Sequence, residues 1–290
     1  MDRPLQQAPA RPSAHSVRFV ETTTSTQDDV RALTNAEHLT TVCAGQQTAG
    51  RGRLGRSWES GPNQSLLAST FITLPDSELM RERIGFLTLI GAAAMRAALV
   101  DFTKSEFTKA NAASADGFEV KFPNDVVLGG LKIAGILGEF LSEHSAQRGE
   151  LCAAIGVGVN VSQREHELVE GATSLAHAGF DVSGTGTVLN DSDITELTCS
   201  FPAQQLLALY LPHLASRIAT FAREADATEL IAEFNAHLHG RGTQVTVAGK
   251  TGTIAGLTED AHLILQGERA TTVSPAEVAM FVEHGKLPAN

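Results

Sequence analysis

Residues 50–58 read Gly50-Arg51-Gly52-Arg53-Leu54-Gly55-Arg56-Ser57-Trp58, three arginines and three glycines within seven residues, followed by the only tryptophan of the chain. Glycine lets backbone N–H groups approach a ligand closely, and guanidinium forks match carboxylate and phosphate oxygens in pairs, so the stretch reads as a cradle for an anion. A solvated arginine loop is the bland alternative. Gly50, Gly52 and Gly55 also spell a dinucleotide fingerprint, but that motif needs a helix directly after its glycines. None is expected here, because residues 57–64 run S-W-E-S-G-P-N-Q, which is turn chemistry, and residues 65–74 have the pattern of a strand.

The rest of the composition makes this anion site local. With 290 residues, 42% of them hydrophobic, the chain is long enough for one large or two modest domains around a substantial core. Its net charge of −11 argues against broad nucleic-acid binding, since duplex affinity comes largely from neutralising phosphates. The apolar stretches are short and interrupted and the N-terminus shows no signal-peptide core, so a cytoplasmic protein without a membrane partner is expected. Cys43, Cys152 and Cys199 are odd in number and far apart, which fits buried fillers better than a disulfide framework or zinc site.

Working outward from the loop, residues 17–21 and 40–47 read as strands on its N-terminal side, with a helix between them capped at Ser25-Thr26. Residues 1–16 are expected to form a disordered tail. Beyond the strand at 65–74, residues 78–102 place Ile84, Leu87, Ile90, Gly91, Ala94, Ala98 and Phe102 on one face of a single long helix. Strands are expected at 118–122, 131–140 and 151–161, and helices at 206–222, kinked or broken near Pro212, and 228–238. The polar stretches 105–117 and 183–200 read as surface loops. From residue 240 onward, short strands at 243–247, 253–257, 262–265 and 270–273 alternate with turns, the pattern of a small β-barrel. Its Gly249-Lys250-Thr251 lacks the earlier glycine and the following helix of a phosphate-binding loop.

Three further segments share the loop's mixture of glycine and isolated polar groups: Ser25-Thr26-Gln27, Lys121-Phe122-Pro123-Asn124-Asp125 leading to Lys132-Ile133-Ala134-Gly135, and Gly156-Val157-Gly158-Val159-Asn160. Each has a plain structural reading, as a cap, a turn and a thinly packed strand. Lys132 resists one. It opens a strand of apolar neighbours, where an ammonium must either snorkel to water or meet an anion.

In this order, G-R-G-R-x-G-R-x-W, K-F-P-N-D, K-x-x-G-I-L and G-V-G-V-N-V, the chain resembles the biotin protein ligases over about residues 17–282. The resemblance implies an α+β fold: a catalytic domain of mixed β-sheet with packed helices over residues 17–238, then an SH3-like barrel over 239–290. It also implies a two-step reaction, in which biotin and MgATP give biotinyl-5′-AMP and pyrophosphate and the biotinyl group then passes to a lysine of a biotin carboxyl carrier domain. By similarity, Lys132, Arg51, Arg53 and Asp125 are the catalytic candidates. Ser25, Thr26, Gln27, Gln47, Gly50, Gly52, Gly135, Gly156 and Gly158, with Arg51, Arg53 and Lys132, would hold biotin. Arg56, Trp58, Lys121, Asn124 and Asn160, with Arg51, Arg53, Asp125 and Lys132, would hold ATP. No residue is assigned to the magnesium.

By the same resemblance, glycines at 135 and 156 are expected to leave room for the bicyclic ring. Two positions depart from the family's usual pattern: Gln27 stands where asparagine is common and Phe122 where tryptophan is. A form without an N-terminal DNA-binding module is expected, as monomer or homodimer. Two alternatives stay open: a lipoate or octanoyl ligase or transferase of the same fold, and a non-catalytic biotin- or carrier-binding protein.

Overall fold

A computed structural model of the chain describes residues 16–104, 117–183 and 201–278. The tail expected at 1–16 and the loops expected at 105–117 and 183–200 lie outside the described residues, apart from Ser16, Gly117 and Ser183. The first unit is a seven-stranded mixed sheet, formed by β1 (Val17–Thr23), β2 (Thr41–Gln47), β5 (Ser65–Leu74), β9 (Leu151–Asn160), β8 (Leu131–Phe140), β7 (Asp125–Leu128) and β6 (Phe118–Lys121) in that spatial order. Only β1 and β2 pair in parallel; every other neighbour is antiparallel. A separate two-stranded ribbon, β3 (Gly50–Arg51) with β4 (Ser57–Trp58), carries the arginine loop.

The alternation of side chains along β5 and β9 divides this sheet into two working faces. Leu66, Ala68, Ile72 and Leu74 of β5 and Leu151, Ala153, Ile155, Val157 and Val159 of β9 belong to the main core. That face is covered by α3 (Phe86–Lys104), α5 (Phe201–Glu224) and α6 (Thr228–Ala236), with α2 (Glu78–Arg83) leading into α3. The opposite face carries Phe71, Cys152 and Ala154, which pack with Val30 of α1 (Thr26–Ala32) and with Leu141 at the start of α4 (Ser142–Arg148). It also carries Ser69, Gly156 and Gly158, and there it forms the floor of a cavity.

Glycine sets how closely the helical layer sits. A Cβ at Gly91 of α3 would lie 2.9 Å from Ile136 Cγ2 and 3.0 Å from Ile155 Cγ2, so the missing methyl lets the helix backbone settle onto β8 and β9. By length and composition α3 is apolar enough to cross a membrane, a point missed by the sequence reading, but most of it is buried inside this fold.

Several expected elements differ. The single helix expected over 78–102 is two, divided at Ile84-Gly85, where glycine's poor helix propensity meets the end of α2. Conversely, α5 runs unbroken through Pro212: Tyr210, Leu211 and Leu214 around the proline are buried, and packing against α3 holds the helix despite the lost N–H. β3, β4, β7 and α4 were not foreseen.

Where a small barrel was expected, the C-terminal segment forms an antiparallel sheet of β10 (Gln244–Val247), β11 (Lys250–Leu257), β12 (Leu263–Gln266) and β13 (Thr271–Val273) in sequential order, which does not close on itself among the described residues. Its Ile254, Leu257, Leu263, Leu265 and Val273 join the same hydrophobic core as the large sheet.

Candidate active site

A cavity of about 860 Å³ lies between the exposed face of the large sheet, the arginine loop and the C-terminal sheet. Of the residues singled out from the sequence, Ser25, Thr26, Gln27, Gln47, Arg51, Gly52, Arg53, Arg56, Trp58, Lys121, Asn124, Asp125, Lys132, Gly135, Gly156 and Gly158 all line it. Residues far apart in the chain therefore converge because β2, β5, β7, β8 and β9 turn the same face toward α1 and the loop.

One end is closed and uncharged. Ser25 is the N-cap residue of α1, yet its hydroxyl makes no capping bond, although a serine there ordinarily accepts an N–H of the first turn. It is buried without a protein partner, as is Gln27 Oε1. Between them Thr26 is saturated: its N–H and hydroxyl both meet Gln47 Oε1, at 2.8 and 3.1 Å, and Ser69 Oγ lies 2.8 Å from its Oγ1. With the Thr26 proton directed to Gln47, the Ser69 hydroxyl donates to Thr26. Ser69 was not singled out from the sequence, though a buried serine in the apolar run Leu66-Leu67-Ala68-Ser69 is the signal that would have found it.

The middle of the cavity is charged. Lys132 Nζ stands 2.8 Å from Asp125 Oδ1, close enough for an ion pair though off the angle of a hydrogen bond, and 5.7 Å from the centroid of the Trp58 ring. A β-bulge puts the lysine there. Along β7 the register advances one residue, Val126 to Val127, while its partner on β8 moves two, from Ala134 to Lys132. The extra residue, Ile133, sits in the main core. Lys132 and Gly135, three apart, thereby share the cavity face, which regular alternation forbids. The K-F-P-N-D stretch forms a turn through a cis Phe122–Pro123 bond. Asn124 closes it by donating from Nδ2 to Ile136 O at 2.9 Å, while its Oδ1 accepts from Arg53 at 2.9 Å.

Arg53 also reaches Pro275 O at 3.2 Å, joining the loop to the C-terminal unit. Burial pulls its pKa below the ordinary arginine value, against an opposing pull from Asp125, with neighbouring Arg56 also lowering it. It remains a cation at any working pH. Arg51 points elsewhere, its guanidinium paired with Asp28 on α1. Among the described residues there is no cluster of three or more His, Cys, Asp or Glu side chains able to cage a metal.

The glycines hold protein rather than open space. A Cβ at Gly158 would meet Trp58 Cε2 at 2.5 Å, one at Gly135 would meet Trp58 Cζ3 and Lys132 Nζ at 3.1 Å, and one at Gly156 would meet Gln27 Cδ at 3.1 Å. An indole, an ammonium and a carboxamide thus lie against these three glycines. Two expected residues stay outside the cavity lining. Asn160 ends β9 with its amide donating to Thr173 O at 3.0 Å and accepting from Gln163 at 3.2 Å. Gly50 instead admits the ribbon, since a Cβ there would lie 2.4 Å from Trp58 O. The far end of the cavity, lined by His239, Val245 and Val247 among others, was not read from the sequence.

A model described as the Biotin/lipoate A/B protein ligase family matches residues 16–160, half of the chain. This chain belongs to that family. It is 34% identical over 177 residues to the bifunctional ligase/repressor BirA of Bacillus spizizenii, covering 59% of this chain and 49% of that protein. It is 32% identical over 138 residues to the biotin–[acetyl-CoA-carboxylase] ligase of Mycobacterium tuberculosis, covering 48% of this chain and 45% of that one. The chain thus spans about half the length of the curated relatives it matches. Among solved structures, the biotin protein ligase from Aquifex aeolicus in complex with biotin and ATP shares the fold, with a TM-score of 0.65 and 23% identity over 89% of this chain and 95% of that one. The family's mixed sheet with packed helices is therefore the architecture of this chain, followed by a small antiparallel β unit.

Proposed function

We propose that this chain is a biotin protein ligase, which joins biotin and ATP into biotinyl-5′-AMP with release of pyrophosphate and then transfers the biotinyl group to a lysine of a biotin carboxyl carrier domain. The observation that carries this reading is one continuous cavity with two chemistries: buried, uncharged, unpartnered polar atoms at Ser25 and Gln27 lead to a cationic middle at Lys132 and Arg53. Biotin has that layout, with a neutral ureido ring at one end and a carboxylate at the other. The names of the relatives, two of them biotin ligases or ligase/repressors, support the same choice within the family.

The chemistry follows from charge. A carboxylate must approach an α-phosphate, and the two anions repel each other, so catalysis is mostly a matter of fixed positive charge where oxygens converge. At an effective dielectric near 20, one cation at about 4 Å contributes roughly 4 kcal/mol of attraction before desolvation. Lys132, oriented by Asp125 and confined by Trp58, supplies that charge at the junction of the two chemistries. Arg53, already anchored to Asn124, holds the phosphate side and shields the mixed anhydride from water. Arg51 exchanges its Asp28 contact for the ligand's anion as the loop closes.

Magnesium fits this donor set as an ion carried by phosphate oxygens: it favours one or two carboxylates plus phosphates over an all-protein cage, and Asp125 is the carboxylate lining the cavity. When bound, it neutralises charge on the triphosphate. In the second step Asp125 is the candidate to take a proton from the incoming lysine. A lipoyl ring would leave the Ser25 and Gln27 polar atoms unpaired in the closed end, which weighs against that branch of the family. Pyrophosphate release is the test: release with MgATP and biotin supports the reading, and release with lipoate but not biotin overturns it.

A further inference from the structure

Lys132 is held at its backbone as well as at its ammonium. The pairing of β8 with β9 ends at Ala134 and Val159, two residues short of the lysine. There residues 171–173 take over the edge that β9 leaves. The Lys132 N–H donates to Gly171 O at 2.8 Å, the Thr173 N–H donates to Lys132 O at 2.8 Å, and Ala172 bridges to the lysine in parallel. Gly171, at φ +76°, makes the turn into this strap in a left-handed conformation that glycine adopts without strain.

Three buried side chains fasten the strap from behind. Asn160 donates from Nδ2 to Thr173 O at 3.0 Å, and Gln163 Nε2 donates to Asn160 Oδ1 at 3.2 Å and to Ser65 Oγ at 2.7 Å. Ser174 Oγ donates to Gln163 O at 2.6 Å. The bond from Gln163 decides which end of the Asn160 amide meets Thr173, since only an acceptor can face Nε2. Breaking any of these buried bonds would leave a polar group unsatisfied, so the network holds one arrangement of the chain it touches. None of the three side chains lines the cavity.

We propose that Asn160 and Gln163 are positioning residues for Lys132, acting through Thr173. This rests on the ligase reading and replaces the nucleotide contact that the resemblance implies for Asn160. The path is one residue long: Thr173 accepts from Asn160 at its carbonyl and donates to Lys132 from its N–H. A misplacement of about 1 Å at a reacting group can cost about 10²-fold in rate, and with the Gly171 contact still in place a loss of about tenfold is expected when Asn160 is truncated.

The test is a double-mutant cycle on the full chain, read as pyrophosphate release with biotin and MgATP. Asn160→Ala is expected to lower kcat about tenfold with KM for ATP within twofold of wild type, and to add less than twofold to the loss in Lys132→Ala. Gln163→Met, which keeps the volume but removes the donor, should act in the same direction by a few-fold and decides the matter should Asn160→Ala fail to fold. Hydrogen exchange on the unliganded protein gives a second readout: the Lys132 and Thr173 amides should exchange faster in both variants. A raised KM for ATP in Asn160→Ala, losses that multiply with that of Lys132→Ala, or unchanged exchange at both amides would overturn the positioning role alone. A wild-type protein that releases no pyrophosphate would bring down the ligase reading and this role with it.

Discussion

Gly158→Ala is expected to push Trp58 off the sheet. The new Cβ would stand 2.5 Å from Trp58 Cε2 and 2.8 Å from Cδ2 and Cζ2, whereas carbon atoms pack at about 3.5–4.0 Å, so the ring must retreat by about 1 Å or more. β9 cannot yield, being buried along its whole length and paired to β5 on one side and β8 on the other. β4 can, because it is two residues long and held by two pairings to an equally short β3. Overpacking of a core costs about 1–3 kcal/mol, and a ribbon that gives way puts this variant at the lower end of that range.

Trp58 is the only tryptophan, so its emission reports the displacement without background. The variant should show a red-shifted spectrum and easier quenching by a soluble quencher, together with a melting temperature lower by a few degrees. Gly52→Ala, where the nearest atom would be 3.4 Å away, serves as the control and should leave the spectrum unchanged. Equal emission maxima, quenching and melting in Gly158→Ala and wild type would refute the argument that the indole is seated on that glycine.

Lys132→Ala should reduce pyrophosphate release by roughly 10²–10³-fold, in line with removing a donor aimed at developing charge, and full activity in that variant would remove the residue from the mechanism. Gly91→Ala must force Ile136 and Ile155 apart by several tenths of an ångström, and a loss of about 1–3 kcal/mol in a denaturant titration is expected. Glu277 has its carboxyl held down from 4.5 to about 2 by Lys250, with help from the Ser274 N–H. A depressed carboxylate stabilises the fold above its unfolded value and loses that contribution as pH falls from about 4.5 toward 2, so Glu277→Gln should show a shallower acid-induced drop in melting temperature across that window.

Much of this architecture was legible because strand periodicity leaves strong marks: the strands at 131–140 and 151–161 fall on β8 and β9, and the motif order brought most candidate residues to one cavity. What escaped has physical reasons. β7 was hidden because Pro123 and Asn124 signal a turn and only Val126, Val127 and Leu128 remain before Gly129 and Gly130, too few to show alternation. The division between α2 and α3 was hidden because Ile84 continues the apolar face across it. Pro212 misled in the opposite direction, since tertiary packing overrides a local propensity. Asn160 follows Gly156 and Gly158 at the period that should bring it to the same face, and it does; it leaves the cavity lining because the strand ends there and Thr173 and Gln163 take its amide.

The deeper difficulty lies in the spacing of Lys132 and Gly135. Read as a regular strand, a separation of three puts the ammonium and the glycine on opposite faces, and the lysine would then have to enter the main core beside Ala134 and Ile136. The bulge removes that contradiction by inserting Ile133 without a partner on β7. It explains why a chain with so apolar a strand can keep a charge in it: the irregularity turns Lys132 toward Asp125 and Trp58, and Gly135 then supplies the space its Nζ and Cε occupy. Deleting Ile133 would close the bulge with Lys132 two residues before Gly135, the spacing that regular alternation keeps on one face, so the lysine stays in the cavity and the variant should lose about the 2–5 kcal/mol of one fully buried isoleucine. A deletion variant that melts like wild type would show that Ile133 contributes nothing to the core.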